Sequence, residues 1–255
     1  MPLVQSVPWV ESIIDAPPIR LHYQDVEVPE DMQFTFVGTR HDEDGGLPDY
    51  LRGILRETDL LLPELPGWDA QLERSYQKVA DGDFSARQKI IQATERLRKI
   101  APGQVAWQRT MFQALFNSKV KVAMVDYPYR HPGDRALQTI LAQGMPINED
   151  TMPHFARRDE FIVKEICAAI PRLRQENRKL ASKEPLKVLA LFGAAHVAVY
   201  HALVAKAEEQ GVNLSEQLLF EESVAFTASS IETAEDLNIT REEYIRYQNW
   251  LRKPE

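Results

Sequence analysis

Residues 186–210 read LKVLALFGAAHVAVYHALVAKAEEQ, and the parsing of this run decides the fold. Its middle, Val188 to Ala205, is long and apolar enough to imitate a membrane span. Three features oppose a span: Gly193 punctuates the run, His196 and His201 lie inside it, and the two sides of Gly193 differ in character. Before the glycine, LKVLALFG is a short apolar stretch of the kind buried in a parallel sheet. After it, AAHVAVYHALVAKAEEQ suits a helix, stopped at Gly211. Strand, turn and helix, all inside a protein core, are expected, with His196 just past the strand end.

The same alternation extends in both directions. QFTFVG (33–38) is a strand closed by glycine, and Leu47, Leu51, Ile54 and Leu55 have helical spacing. DLLLPEL (59–65) is a short buried strand, and KVKVAMVDYP (119–128) is a strand by its valines. Helices are expected over about 134–143 and 153–180, the second kinked or interrupted at Pro171. EQLLFEESVAFTA (216–228) reads as a last strand and REEYIRYQNWLRK (241–253) as a terminal helix. Near the start, a proline-rich irregular arm runs to Pro18, and LHYQDVEV (21–28) alternates like a half-buried strand. The polar helical stretch from Trp68 to Asn117 exceeds what a crossover requires, so a helical lobe inserted at about 68–117 should lie over one sheet edge. The whole predicts one α/β domain over 1–255: a central, mainly parallel sheet flanked by helices.

A longer-range echo marks the candidate site. FTFVGTRH ends at His41 and LALFGAAH ends at His196. Each is a strand, then Gly-x-x-His, then a helix, and the strands that follow end in Glu64 and Glu221. Glu64 follows His41 by 23 residues and Glu221 follows His196 by 25. An internal duplication explains this, and chance similarity of short apolar strands competes with it. In a parallel α/β sheet, ligands collect outside the carboxyl ends of the strands. Two Gly-x-x-His turns there would aim two imidazoles at one rim, and Glu64 could join them. Two histidines and a carboxylate with a position left for water suit a catalytic divalent metal. The bland alternatives are a solvated loop for His41, a core histidine for His196, and an arginine- or lysine-paired carboxylate for Glu64.

Composition bounds the functions. The 255 residues carry a formal net charge of -8, which argues against a dedicated nucleic-acid binder and against attraction to an anionic membrane. Cys167 is the single cysteine, so no intrachain disulfide forms; in FIVKEICAAI it reads as a small buried hydrophobe. The start, MPLVQSVPWVE, lacks the basic and apolar regions of a signal peptide, so a cytoplasmic setting is expected. Neither a Gly-x-Ser-x-Gly elbow, a phosphate-binding Walker loop, a dinucleotide fingerprint nor a Cys-x-x-Cys pair occurs.

The ordered pieces FVGTRH, DLLLPEL, KVAMVDYP, FARRDEFIVKEI and FGAAHV resemble the TraB/Tiki superfamily, distantly related to erythromycin-esterase-like and ChaN-like proteins. They span about Phe34 to Val197. The resemblance implies a metal-dependent hydrolase of metallopeptidase type, acting on a peptide or small molecule. It implies a divalent ion such as manganese, cobalt or zinc held by His41, Glu64 and His196. It also implies Arg158 as an anion or transition-state contact, with Arg157 the rival assignment. Asp126, at a strand end, and Glu221, from the duplication pattern, are further metal candidates. Tyr127 stands where bacterial members often carry arginine, and the membrane anchor of several members is not seen. His131 and His154 flank prolines and read as surface histidines. A non-catalytic interaction protein that keeps the fold, and a metal-free esterase or transferase using one histidine, are the alternative functions.

Overall fold

The computed structural model describes residues 3–4, 18–23, 25–39, 49–95, 102–142, 145, 147–221 and 241–254. Its strands are β1 (Leu3–Val4), β2 (Met32–Thr39), β3 (Leu60–Pro63), β4 (Lys121–Val122), β5 (Leu186–Gly193) and β6 (Ser215–Glu221). They form one sheet in the order β1-β6-β2-β5-β3-β4. Every neighbouring pair from β6 to β4 is parallel, and only the two-residue β1 runs antiparallel, against β6.

Side-chain alternation explains why these segments pair. Phe34, Phe36, Leu60, Leu62, Val188, Ala190 and Phe192 face one core. Val37, Leu61, Leu189 and Leu191 face the other. A sheet apolar on both faces needs helices on both, and the chain provides them. The first face carries α5 (Pro132–Ala142), α6 (Met152–Glu176), α8 (Val197–Gln210) and α9 (Arg241–Arg252); the four-residue α7 (Arg178–Ala181) follows α6. The second carries α1 (Asp49–Glu57) and the lobe of α2 (Ala70–Ala80), α3 (Phe84–Glu95) and α4 (Pro102–Leu115).

The apolar run of residues 186–210 resolves as expected into β5, a 3-10 turn (Ala194–His196) and α8, ended by Gly211 at φ 67°. Among the described residues, no helix is long and apolar enough to cross a membrane. Helices α2 to α4 fill the stretch read as a lobe in the sequence. On the outer edge of β4, the Val122 and Met124 amides donate to Gln77 and Glu73 of α2, at 3.0 and 3.3 Å. Helix side chains thus occupy amides that an open sheet edge would leave bare.

Three expectations are corrected. The strand expected over 119–128 closes its ladder after Val122. The Ala123 amide still reaches Leu61 O at 3.0 Å, but the next bond would need an N–H at position 63, and Pro63 has none. Residues 21–28 form no strand among those described. The Gln210 side chain bonds Val28 N at 2.8 Å and Val26 O at 2.6 Å, occupying groups that a neighbouring strand would use. Finally, α6 runs unbroken through Pro171 and ends at Asn177. Burial of Ile162, Val163, Ile166, Ile170 and Leu173 along one stripe offsets the bond lost at the proline.

The strand order sets the ends of the two strands that lead into the Gly-x-x-His segments side by side. Central β2 and β5 are neighbours, with Thr39 opposite Gly193. Each first strand also pairs with the other unit's second strand: β2 with β6, and β5 with β3. This interleaving is the pattern expected of two equivalent halves.

Candidate active site at the carboxyl ends of the strands

Glu64 immediately follows β3. Its amide donates to Leu191 O at 2.9 Å, which fixes the backbone against β5. Its carboxylate Oε2 then accepts from the Gly193 amide at 2.5 Å. Oε1 accepts from Arg158 Nη2 at 2.8 Å and lies 3.2 Å from His196 Nε2. One carboxylate therefore joins β3, the end of β5, the turn after it and α6.

Arg158 is gripped from its other side by Asp126. Nε donates to Asp126 Oδ1 at 2.9 Å and Nη2 to Oδ2 at 2.6 Å, a paired geometry that suits guanidinium and carboxylate. Asp126 also accepts from the Tyr127 amide at 2.7 Å, and its carbonyl takes the Trp68 indole N–H at 2.6 Å. These bonds hold the loop after β4 against the loop after β3. Burial and its two carboxylate partners act on Arg158, and the carboxylates prevail, so its pKa is raised.

His196 closes the network. Its Nδ1 is 2.5 Å from Asp159 Oδ1, one residue along α6 from Arg158, and Asp159 Oδ2 accepts from the Tyr247 hydroxyl of α9 at 2.9 Å. Burial works against charge on the imidazole and Arg158 opposes it too; Glu64 and Asp159 outweigh both, pushing the pKa up to about 9. The chain of contacts is Asp126, Arg158, Glu64, His196, Asp159, Tyr247. Side-chain exposure runs from none at Asp126 to 11% at Glu64, so these charges interact largely away from water. Three carboxylates, one guanidinium and one imidazole thus meet in one buried group.

Of the residues singled out in the sequence, Glu64, Asp126, Arg158 and His196 meet here. Arg158 belongs to this network, whereas Arg157 is exposed. Glu64 has the arginine partner of its bland reading while still facing His196. His41 lies outside the described residues, and for Glu221 only the backbone, at the end of β6, is described. His131 is half-buried, its ring stacked on Tyr127 at 4.2 Å and 5.0 Å from Phe161. Cys167 is buried, and burial pushes its thiol up to about 12.

Sequence reasoning missed Asp159 and Tyr247. Asp159 had left a signal: it stands on the apolar stripe of α6 with Phe155, Ile162, Ile166 and Ile170, where an unpaired carboxylate is costly. Tyr247 had none as clear, because a tyrosine among apolar positions reads as core.

Among the described residues, no group of three or more His, Cys, Asp or Glu side chains is arranged to hold a metal. Two of the three expected ligands do fit one. Nε2 of His196 and Oε1 of Glu64 lie 3.2 Å apart, the separation of two atoms sharing an ion at about 2.1 Å each. Asp159 on Nδ1 is the outer partner that ligating histidines usually have. The chain matches no protein-family model, no curated protein and no solved structure.

Proposed function

We propose that this protein is a metal-dependent hydrolase acting on a peptide or another amide or ester bond, with Glu64, His196 and His41 as the ligands of a divalent cation. The observation that carries this reading is the 3.2 Å approach of His196 Nε2 to Glu64 Oε1, inside a buried group of three carboxylates. A cation in place of a proton on Nε2 would meet the Glu64 carboxylate with greater charge. The position supports the same reading, since ligands of parallel sheets gather at this end. The resemblance to TraB/Tiki proteins points the same way.

A divalent ion bound there would lower the pKa of its water toward neutrality and polarise the scissile carbonyl. The residues of the chain have separable tasks. Asp159 keeps a proton on His196 Nδ1, so that Nε2 can present a lone pair. The Gly193 amide and Arg158 hold the Glu64 carboxylate in place. Asp126 pins Arg158 beside Glu64, where its positive charge would steady negative charge developing on a substrate oxygen.

The deciding experiment is metal analysis of the purified chain, with calorimetric titration of manganese, cobalt and zinc into chelator-treated protein. Wild type should bind one ion, and His41→Ala, Glu64→Gln and His196→Ala should each weaken it. Wild-type protein that carries no divalent metal and takes up none of the three would refute the proposal. A second reading uses the same pair differently: with Nε2 protonated, Glu64 and His196 form an ion pair, and the imidazolium would serve as a general acid. Hydrolysis unaffected by chelators would favour that reading.

A further inference from the structure

We propose that Tyr247, delivered by the C-terminal helix α9, is a positioning residue for His196 that acts through Asp159. Asp159 is 1% exposed, so both carboxylate oxygens need donors from the protein. They have one each: His196 Nδ1 on Oδ1 at 2.5 Å and the Tyr247 hydroxyl on Oδ2 at 2.9 Å. A hydroxyl donor on Oδ2 fixes the rotation of the carboxylate. The fixed carboxylate in turn holds the proton on Nδ1 and directs Nε2 at Glu64.

The donor itself is held from several sides. The Tyr247 ring packs edge-on against Phe155 at 6.0 Å and is stacked with Trp250 at 6.4 Å. The Arg20 guanidinium covers Trp250 at 4.4 Å, and the Arg20 amide donates to Leu251 O at 3.0 Å. Gln248, the next residue on α9, donates to Ala195 O at 3.4 Å, one residue before His196. The C-terminal helix therefore meets the histidine turn twice, once through its backbone and once through Asp159. Its contribution to the site is orientation, since the Tyr247 hydroxyl reaches His196 through Asp159.

The test is Tyr247→Phe in the full chain, read in two ways. The first is the His196 ring nitrogen and Nδ1–H resonances in long-range proton–nitrogen spectra, assigned with His196→Gln. Wild type should show one tautomer, or the imidazolium, with a strongly deshielded Nδ1 proton. The variant should show that resonance shifted upfield or lost to exchange, with its melting transition still cooperative. The second is affinity for added zinc, which should fall, but by less than the loss of about 10- to 100-fold that removing a ligating histidine's direct outer partner, here Asp159, would cause.

Arg20→Ala is the control: it loosens the same helix, through Trp250 and Lys253 O, without touching Asp159 or the histidine turn, and should leave the His196 resonances in place. Unchanged resonances in Tyr247→Phe, or an equal shift in Arg20→Ala, would overturn the inference. If Tyr247→Phe does not fold, 3-fluorotyrosine introduced at position 247 keeps the ring and strengthens the donor. The Nδ1 resonance should then move, and a fixed resonance would overturn the inference as well. Only the zinc measurement rests on the proposed function. A wild-type chain that binds no zinc defeats that function, and the spectra still decide the role of Tyr247.

Discussion

Replacing Arg158 with methionine tests the site as an electrostatic unit. Methionine fills much of the arginine volume and removes the one permanent cation of the network. Asp126, with a fully buried side chain, would keep only the Tyr127 amide, and Glu64 would lose the guanidinium on Oε1. Removing one partner of a buried pair costs about 3–5 kcal/mol, because the abandoned charge stays desolvated. That is a large part of the roughly 5–15 kcal/mol that holds a domain folded. In a chain of this size, the corresponding fall in Tm is on the order of 10 °C.

The assay is urea unfolding followed by circular dichroism, requiring an unchanged m-value so that the midpoint reports stability. Asp126→Asn added to Arg158→Met should then recover part of the loss, since it removes the abandoned charge while keeping an acceptor for Tyr127. The two substitutions should therefore couple by at least about 1 kcal/mol. Arg158→Lys should fall between, because an ammonium cannot reproduce the paired grip on Asp126. An Arg158→Met protein within about 1 kcal/mol of wild type, or an additive cycle with Asp126→Asn, would refute the coupled network.

Two further outcomes follow from local geometry. Burial, with Arg252 acting in the same direction, pushes His201 down to about 4, and its Nε2 has no hydrogen-bond partner among the described residues. The unfolded chain takes up a proton near the ordinary histidine value of about 6.5 while the folded chain resists it, so stability falls as pH drops from there toward 4. His201→Gln should flatten the decline in Tm between pH 7 and pH 4.5 relative to wild type, and parallel curves would refute this. At Gly133, an added Cβ would lie 2.6 Å from Tyr127 Cζ, and that ring cannot move freely between His131 and Phe161. Gly133→Ala should cost about 1–3 kcal/mol in urea unfolding, and a neutral result would show that the ring yields.

Much of the fold was legible because parallel strands announce themselves as apolar runs. LKVLALFG and QFTFVG are buried on both faces, and LKVLALFG ends at a glycine followed by a turn. Short-range patterns gave the elements but not the partners. LHYQDVEV alternates correctly for a strand, yet Gln210, from the far end of α8, takes its backbone groups. The ladder of β4 stops at Val122 because Pro63 sits across from it on another strand. Glu64 and His196 were legible because their residue types recur at strand ends, whereas Arg158 came only from the family resemblance. Asp159 was readable from its place in an apolar stripe. Tyr247 comes from a helix far along the chain, and its polar tip matters only because Asp159 lies beneath it.

The interleaved sheet gives the site its logic. Had each Gly-x-x-His unit paired only within itself, the two turns would stand at separate strand pairs. Because β2 and β5 share the centre, Thr39 stands opposite Gly193, and the Gly193 amide binds the carboxylate that follows β3. Glu64 is thus held by the end of a strand belonging to the other unit. Charge adds to the constraint: Arg158 bridges Asp126 and Glu64, while Glu64 and Asp159 meet His196 at Nε2 and Nδ1. A cation at Nε2 would take the place of a proton there. For that reason His196, more than Arg158, is where binding of an ion should be coupled to release of a proton.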